Sequence, residues 1–238
     1  MLCLLLSGFK GTGKDTLYNK LSSKKVTSTG TCKNHTEYKC YKSPENKVEW
    51  SSLIKNVFPA KRLSFADPLK ADVSKNVMKI RPDLTPSILE ANKNKSLKDI
   101  PVISSAGKKY SKDCKDTKNN KCDKCFQELS YRDHLIEEAY SKRREDIDYW
   151  CKRALQDIKH YHGNVVVTDY RYPNEKDFMQ KIYQVRTVWI YRSGVEIPHP
   201  NILSEWELHS EKMDYLLTDD FEAAVKLRPQ YKDYILSS

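Results

Sequence analysis

Leu2 to Leu6 is an unbroken apolar run that breaks into Gly8-Phe9-Lys10-Gly11-Thr12-Gly13-Lys14, and Leu17 and Leu21 then follow one helical turn apart. Five apolar residues without polar alternation suit a strand buried on both faces, as in parallel sheets. The spacing G-x-x-x-x-G-K, set between that strand and a helix, turns backbone amide hydrogens and a helix N-terminus towards phosphate oxygens. The lysine then reaches the outer phosphates of a nucleoside triphosphate. Gly8, Lys10, Gly11, Thr12, Gly13, Lys14, Asp15 and Thr16 are the residues expected to cradle it. A glycine-rich turn with an unrelated lysine is the competing reading, and the strand–loop–helix context argues against it.

The rest of the chain alternates in the same sense. Arg62 to Ala66 reads as a second strand, and Asp67-Pro68 then opens a helix with a stripe of Leu69, Val73, Val77 and Ile80. Helical periodicity returns over Leu129 to Tyr140 and, after a charged link from Ser141 to Asp146, over Trp150 to Ile158. Asn164 to Asp169 reads as a strand, Pro173 to Tyr183 as a helix and Val185 to Tyr191 as a strand. A short strand near Tyr215 to Thr218 and a helix from Asp219 follow. This alternation predicts an α/β fold, a parallel sheet with helices on both faces. It is the three-layer P-loop NTPase type, here with a helical lid, expected as one domain over 1–238. Two polar stretches without clear periodicity, near 24–60 and 82–124, read as insertions.

Charged residues make up 31 % of the chain and the net charge is +10, which suits either an acidic partner or a Lys-rich solvated surface. Much of the lysine lies in loop-like stretches such as Lys108 to Lys124, where few arginines interleave with aromatics. That favours the solvated surface over a nucleic-acid groove. The apolar opening is too short to span a membrane and lacks the basic start and cleavage site of a signal peptide. A cytoplasmic protein with small-molecule substrates and no membrane partner is expected, and whether it forms a homodimer is not legible in the sequence.

Seven cysteines without a signal peptide are expected as reduced thiols. Cys122 and Cys125 form a C-x-x-C with Cys114 upstream, while Cys32, His35 and Cys40 cluster elsewhere. Cys114, Cys122 and Cys125 are candidate ligands for a structural zinc. With a single tight pair, loop cysteines that hold no metal are the favoured alternative.

Asp15 stands where Ser or Thr usually contacts Mg²⁺, and either it, through water, or Thr16 could serve there. Asp169 ends a β-branched run and would share a sheet edge with the glycine-rich loop, where open α/β sheets bind ligands. It is a candidate for the Mg²⁺ water shell, or else a cap for the next turn. Arg171 could point to phosphate or form a surface pair. Lys142, Arg143 and Arg144 would neutralise a transferring phosphoryl group if they closed over it, but a solvated charge run reads the same way. Arg132 is equally ambiguous alone.

Gly13-Lys14-Asp15-Thr16 resembles the loop of the deoxynucleoside monophosphate kinases of phages and large DNA viruses, a P-loop family related to the animal-type phosphomevalonate kinases. Phe65-Ala66-Asp67-Pro68-Leu69-Lys70 is similar to that family's second-strand signature. Thr168-Asp169-Tyr170-Arg171-Tyr172-Pro173-Asn174-Glu175 resembles its T-D-x-R-x-P-N-E stretch, the most specific match. Tyr131-Arg132, Arg143-Arg144 and Asp148-Tyr149-Trp150 resemble its substrate and lid helices. Its continuous H-P-S-E is split here between His199-Pro200 and Ser204-Glu205. The resemblance runs in patches from residue 1 to about 220 and misses 24–59 and 82–124.

The resemblance implies transfer of the γ-phosphoryl group of ATP to a deoxynucleoside 5′-monophosphate, with Mg²⁺, in a viral protein of the host cytoplasm. It implies Asp67, Lys70 and Arg132 on the acceptor side, Arg171 on the acceptor phosphate, and Arg143 and Arg144 as lid residues. An acceptor phosphate oxygen is already anionic, so alignment and charge cancellation by Lys14, Arg143, Arg144 and the Asp169-held metal would suffice. A phosphomevalonate kinase shares the G-K-D loop, and a nucleic-acid-binding ATPase would exploit the +10 charge. Both remain rival readings.

Overall fold

The computed structural model describes residues 1–23, 38–80, 82–93, 130–199 and 206–238. The chain divides into two compact units, one made of Met1–Phe65 with Leu155–Ser238 and the other of Ala66–Ala154.

The first unit is built on a sheet. Its strands are β1 (Leu2–Ser7), β2 (Lys39–Lys42), β3 (Ala60–Leu63), β4 (Asn164–Val167), β5 (Gln184–Tyr191), β6 (Tyr215–Thr218) and β7 (Ile235–Leu236). They lie in the order β3-β4-β1-β5-β6-β2-β7. The first five in that order run parallel, with Leu5 opposite Val167 on one side and Thr187 on the other. The carboxyl ends of β3, β4, β1 and β5 therefore share one edge. β2 pairs antiparallel with β6 and β7, so the expected all-parallel sheet is mostly parallel. Antiparallel strands can join an edge without a crossover helix, which is how these two short strands extend it.

β1 is the hydrophobic axis, with Leu4, Leu5 and Leu6 fully buried. Leu4 and Leu6 face a core cluster with Leu17 and Leu21 of α1 (Lys14–Ser22) and Leu53, Ile54 and Val57 of α2 (Trp50–Val57). Strand alternation sends neighbouring residues to the other face. There Tyr41 of β2 stacks on Phe221 of α8 (Phe221–Leu227) at 4.2 Å, and Trp189 of β5 stacks on Tyr231 at 5.2 Å. Helices thus cover both faces, and α7 (Pro173–Gln180) packs against β5.

The stretch 24–60, read as an insertion, contributes β2 and α2 to this layer. Sequence periodicity missed them because β2 has four residues and the apolar stripe of α2 is only Leu53, Ile54 and Val57. β3 begins two residues before the expected Arg62 and ends at Leu63, which leaves Ser64 and Phe65 at the shared edge.

The second unit is helical, with α3 (Ala66–Ile80), α4 (Pro86–Ala91), α5 (Tyr131–Glu145) and α6 (Tyr149–Gln156). Val73 and Val77 of α3, Leu89 of α4, and Tyr131 and Leu135 of α5 form its core. Ser74 and the Tyr131 hydroxyl are 2.7 Å apart within it. A capping box starts α5: the Ser130 amide donates to Asp133 Oδ2 at 2.8 Å, and the Asp133 amide donates to Ser130 Oγ at 3.3 Å. Among the described residues, no helix is long and apolar enough to cross a membrane.

Candidate functional site

The glycine-rich loop leaves β1 at the carboxyl edge of the sheet and runs straight into α1. Gly8, Gly11 and Gly13 hold φ of 147°, 89° and 84°, a region that side chains bearing Cβ rarely adopt. Space as well as φ fixes Gly8: a Cβ there would sit 2.5 Å from the Ile190 carbonyl oxygen of β5 and 2.7 Å from Thr12 Oγ1. Phe9, one of the four residues that G-x-x-x-x-G-K leaves unspecified, is buried and anchors the loop against Trp206, 5.3 Å away, and edge-on to Trp189. Thr12 turns inward, its hydroxyl donating to the Phe9 carbonyl at 3.0 Å. Lys14 Nζ reaches back into the loop and donates to the carbonyls of Gly8 at 2.6 Å and Phe9 at 3.0 Å. A cation is thus held inside a ring of turned backbone. Lys10, Asp15 and Thr16 lie exposed on the loop and the first turn of α1.

Beside the loop, β4 carries Asp169 to the same edge. The chain beyond Val167 stays locked between neighbours, with the Thr168 amide donating to the Leu63 carbonyl and the Tyr170 amide to the Leu6 carbonyl, each at 3.1 Å. Asp169 accepts from Ser64 Oγ at 2.8 Å and from the Phe65 amide at 3.0 Å, so its carboxylate pins the end of β3. Asp15 pairs with Arg62 of β3, whose Nε lies 2.9 Å from Asp15 Oδ1. Of the two carboxylates expected at a metal, Asp169 is pinned by the residues just beyond β3, whereas Asp15 meets β3 through a solvent-exposed ion pair.

Arg171 follows in a turn whose geometry Glu175 fixes. Glu175 is 2 % exposed and accepts from the amides of Arg171 at 2.8 Å and Tyr172 at 3.2 Å, while Pro173 starts α7. In the Pro-Asn-Glu part of this stretch, the glutamate orients the backbone that presents Arg171. Burial raises the Tyr170 hydroxyl well above its ordinary pKa, which keeps it neutral.

In the helical unit, Asp67 is exposed in the first turn of α3. Lys70 and Lys93 close on the two oxygens of Glu90, at 2.9 Å and 3.2 Å. Arg132 joins this group: its amide donates to the Lys93 carbonyl at 3.0 Å, and its charge, with that of Lys70, pushes the Lys93 pKa down after burial, the larger cause. Burial would raise Glu90, but Lys70 and Lys93 outweigh it and hold the carboxyl below its usual value. With Lys70 and Lys93 on one carboxylate and Arg132 near Lys93, the patch is net positive. Lys142, Arg143 and Arg144 lie within α5, which runs to Glu145, and the expected helix-free link is shorter. Basic side chains in a last turn favour the helix through its dipole, and Lys142 pairs with Glu145 at 3.2 Å. Arg144 Nη2 lies 3.8 Å from Glu137 Oε1.

The candidate zinc ligands Cys114, Cys122 and Cys125 lie outside the described residues, as do Cys32, His35, Pro200, Ser204 and Glu205. Cys40 is buried in the sheet core, where burial raises its pKa and keeps the thiol protonated. Sequence reasoning missed Ser64 and Arg62, which fix the two aspartates, and Arg228, a fully buried guanidinium beside Trp189. A polar residue at a strand end hints at Ser64, whereas nothing in the local sequence marks Arg228 as buried.

Comparison of the chain with protein-family models and with curated proteins gives no match.

Proposed function

We propose that this chain is a Mg-ATP-dependent kinase with a P-loop NTPase-type fold, transferring the γ-phosphoryl group to a deoxynucleoside 5′-monophosphate. The observation that carries the reading is the loop itself. Three left-handed glycines turn the backbone between the central strand and α1, and Lys14 Nζ lies among its carbonyls. On the approach of a triphosphate, Lys14 would exchange those carbonyls for phosphate oxygens, and the α1 N-terminus would add its dipole.

The cradle fits such a group, because the left-handed φ of Gly11 and Gly13 keeps backbone where side chains would intrude. Asp15 and Asp169 would hold the water shell of Mg²⁺, Asp169 fixed by the Ser64 hydroxyl and the Phe65 amide and Asp15 paired with Arg62 at the surface. Magnesium, when bound, would offset the charge of the phosphate oxygens. At the sheet edge, Arg171 would supply positive charge for the phosphate of an anionic acceptor. The choice of a nucleotide acceptor rests on the Asp67-Pro68-Leu69-Lys70 and Thr168 to Glu175 stretches.

A coupled ATP-to-ADP assay with each deoxynucleoside monophosphate, mevalonate 5-phosphate and DNA tests the proposal. Turnover dependent on a deoxynucleoside monophosphate is expected. Turnover only with mevalonate 5-phosphate would reassign the acceptor, and stimulation by DNA without a small acceptor would overturn the kinase reading.

A further inference from the structure

Arg228 follows the last residue of α8 and is 1 % exposed. Its position is rigid: its amide donates to the Ala224 carbonyl at 2.9 Å, and Pro229 begins a 3₁₀ turn immediately after it. The guanidinium carbon lies 4.2 Å from the centre of the Trp189 ring. That contact recovers part of the lost hydration. The neutral Tyr231 hydroxyl is the polar group that interacts with the guanidinium, and Nε and Nη1 have no well-formed hydrogen bond among the described residues. Nor does a carboxylate among those residues pair with Arg228. A buried lysine would shed its proton under such conditions, but a guanidinium stays charged at any physiological pH. An unpaired buried charge is among the costliest features a fold can carry.

The same side chain lines a cavity of about 10 Å³ at the carboxyl edge of β1 and β4, together with Gly8, Tyr170 and Arg171. The Tyr170 hydroxyl is a further buried polar atom without a partner among the described residues. Two arginines and a tyrosine with a neutral phenol therefore line one small space beside the glycine-rich loop. Its volume admits about one oxygen atom.

We infer that Arg228 is the buried arm of a phosphate site whose other arm is Arg171, one phosphate oxygen entering the cavity between them. The site adjoins the glycine cradle, with Gly8 lining its wall. Arg228 supplies charge and donors that are already ordered, and Tyr170 can donate one more hydrogen bond. Assigning the phosphate to the acceptor monophosphate rests on the kinase reading, whereas binding of inorganic phosphate does not.

The test uses the full chain carrying Lys14→Ala, which disables the cradle, titrated calorimetrically with inorganic phosphate and then with each deoxynucleoside monophosphate. Phosphate binding should persist in this variant, and adding Arg228→Met should weaken it about tenfold or more. Tyr170→Phe, which removes one hydroxyl, should weaken it severalfold and keeps the test open if the Arg228→Met protein fails to fold. Deoxynucleoside monophosphate affinity falling in parallel would identify the acceptor as the source. A loss confined to inorganic phosphate would identify the free ion, and either result supports the site.

Phosphate binding unchanged by Arg228→Met and by Tyr170→Phe, or abolished by Lys14→Ala alone, would overturn the inference and point to a single buried water as the partner of Arg228. Mg-ATP binding to the chain with native Lys14 separates the two proposals. Its absence, with Arg228-dependent phosphate binding retained, would sink the kinase reading alone. Its presence in an Arg228→Met protein with unaltered phosphate binding would sink this inference alone.

Discussion

The carboxyl edge of the sheet and the basic surface of the helical unit both gather groups suited to phosphate, but they hold them differently. At the sheet edge the donors are mostly backbone, fixed by left-handed glycines and strand pairing, and the side chains there are locked by neighbours, as Asp169 is by Ser64 and Phe65. In the helical unit the cations sit on helix surfaces and are steadied by partly exposed ion pairs such as Lys70 with Glu90 and Lys142 with Glu145. Exposed pairs are worth little in stability. The first region is preorganised, and the second can exchange a carboxylate for a ligand phosphate at small cost.

The largest expected effect lies at the sheet edge. Lys14→Ala should lower kinase turnover about 10³-fold while circular dichroism shows the fold intact. Near-normal turnover would remove the loop from the chemistry and end the comparison. In the helical unit, replacing Arg143 and Arg144 together by alanine should lower kcat about 10²-fold with little change in thermal stability. Unchanged kcat would reduce them to a solvated turn of α5.

Backbone preorganisation can be probed through two glycines of unequal constraint. Gly8→Ala combines a φ of 147° with a 2.5 Å approach to Ile190 and should cost about 3 kcal/mol in urea unfolding. Gly194→Ala has a φ of 74° and nothing within 4 Å of its added Cβ, so strain alone should cost about 1 kcal/mol. Equal costs would mean that the loop yields and is not tightly held.

The smallest effect concerns Glu90. Its folded pKa is depressed, so its contribution to stability is present above the ordinary glutamate pKa and is lost as pH falls through the lower folded value. Thermal melts from pH 6 down to about pH 3 should therefore show a shallower acid decline for Glu90→Gln than for the native chain. Identical profiles would show that Lys70 and Lys93 do not bind this carboxylate in solution.

Much of the sheet was legible because its signals are local and dense. The apolar run of β1, the β-branched Val165 to Val167 and the stripes of α1 and α3 each state their own conformation. The elements that went unread are short. β2 and α2 become ordered by pairing with β6 and packing under β1, and four residues cannot announce a strand by themselves. The extension of α5 through Arg143 and Arg144 was hidden by a charged composition that reads equally well as a link.

By itself the sequence determined a strand, a glycine-rich loop and a helix that begins at the Gly-Lys-Asp-Thr signature, because glycine and lysine at that spacing carry their chemistry in the backbone and one side chain. The tertiary structure decided what surrounds them. It set Asp169 against Ser64, Asp15 against Arg62, and Arg228 against Trp189, pairs separated by 39 to 105 residues. Such neighbours arise from strand order and from the faces that side chains take on a folded sheet, and no local pattern along the chain encodes them.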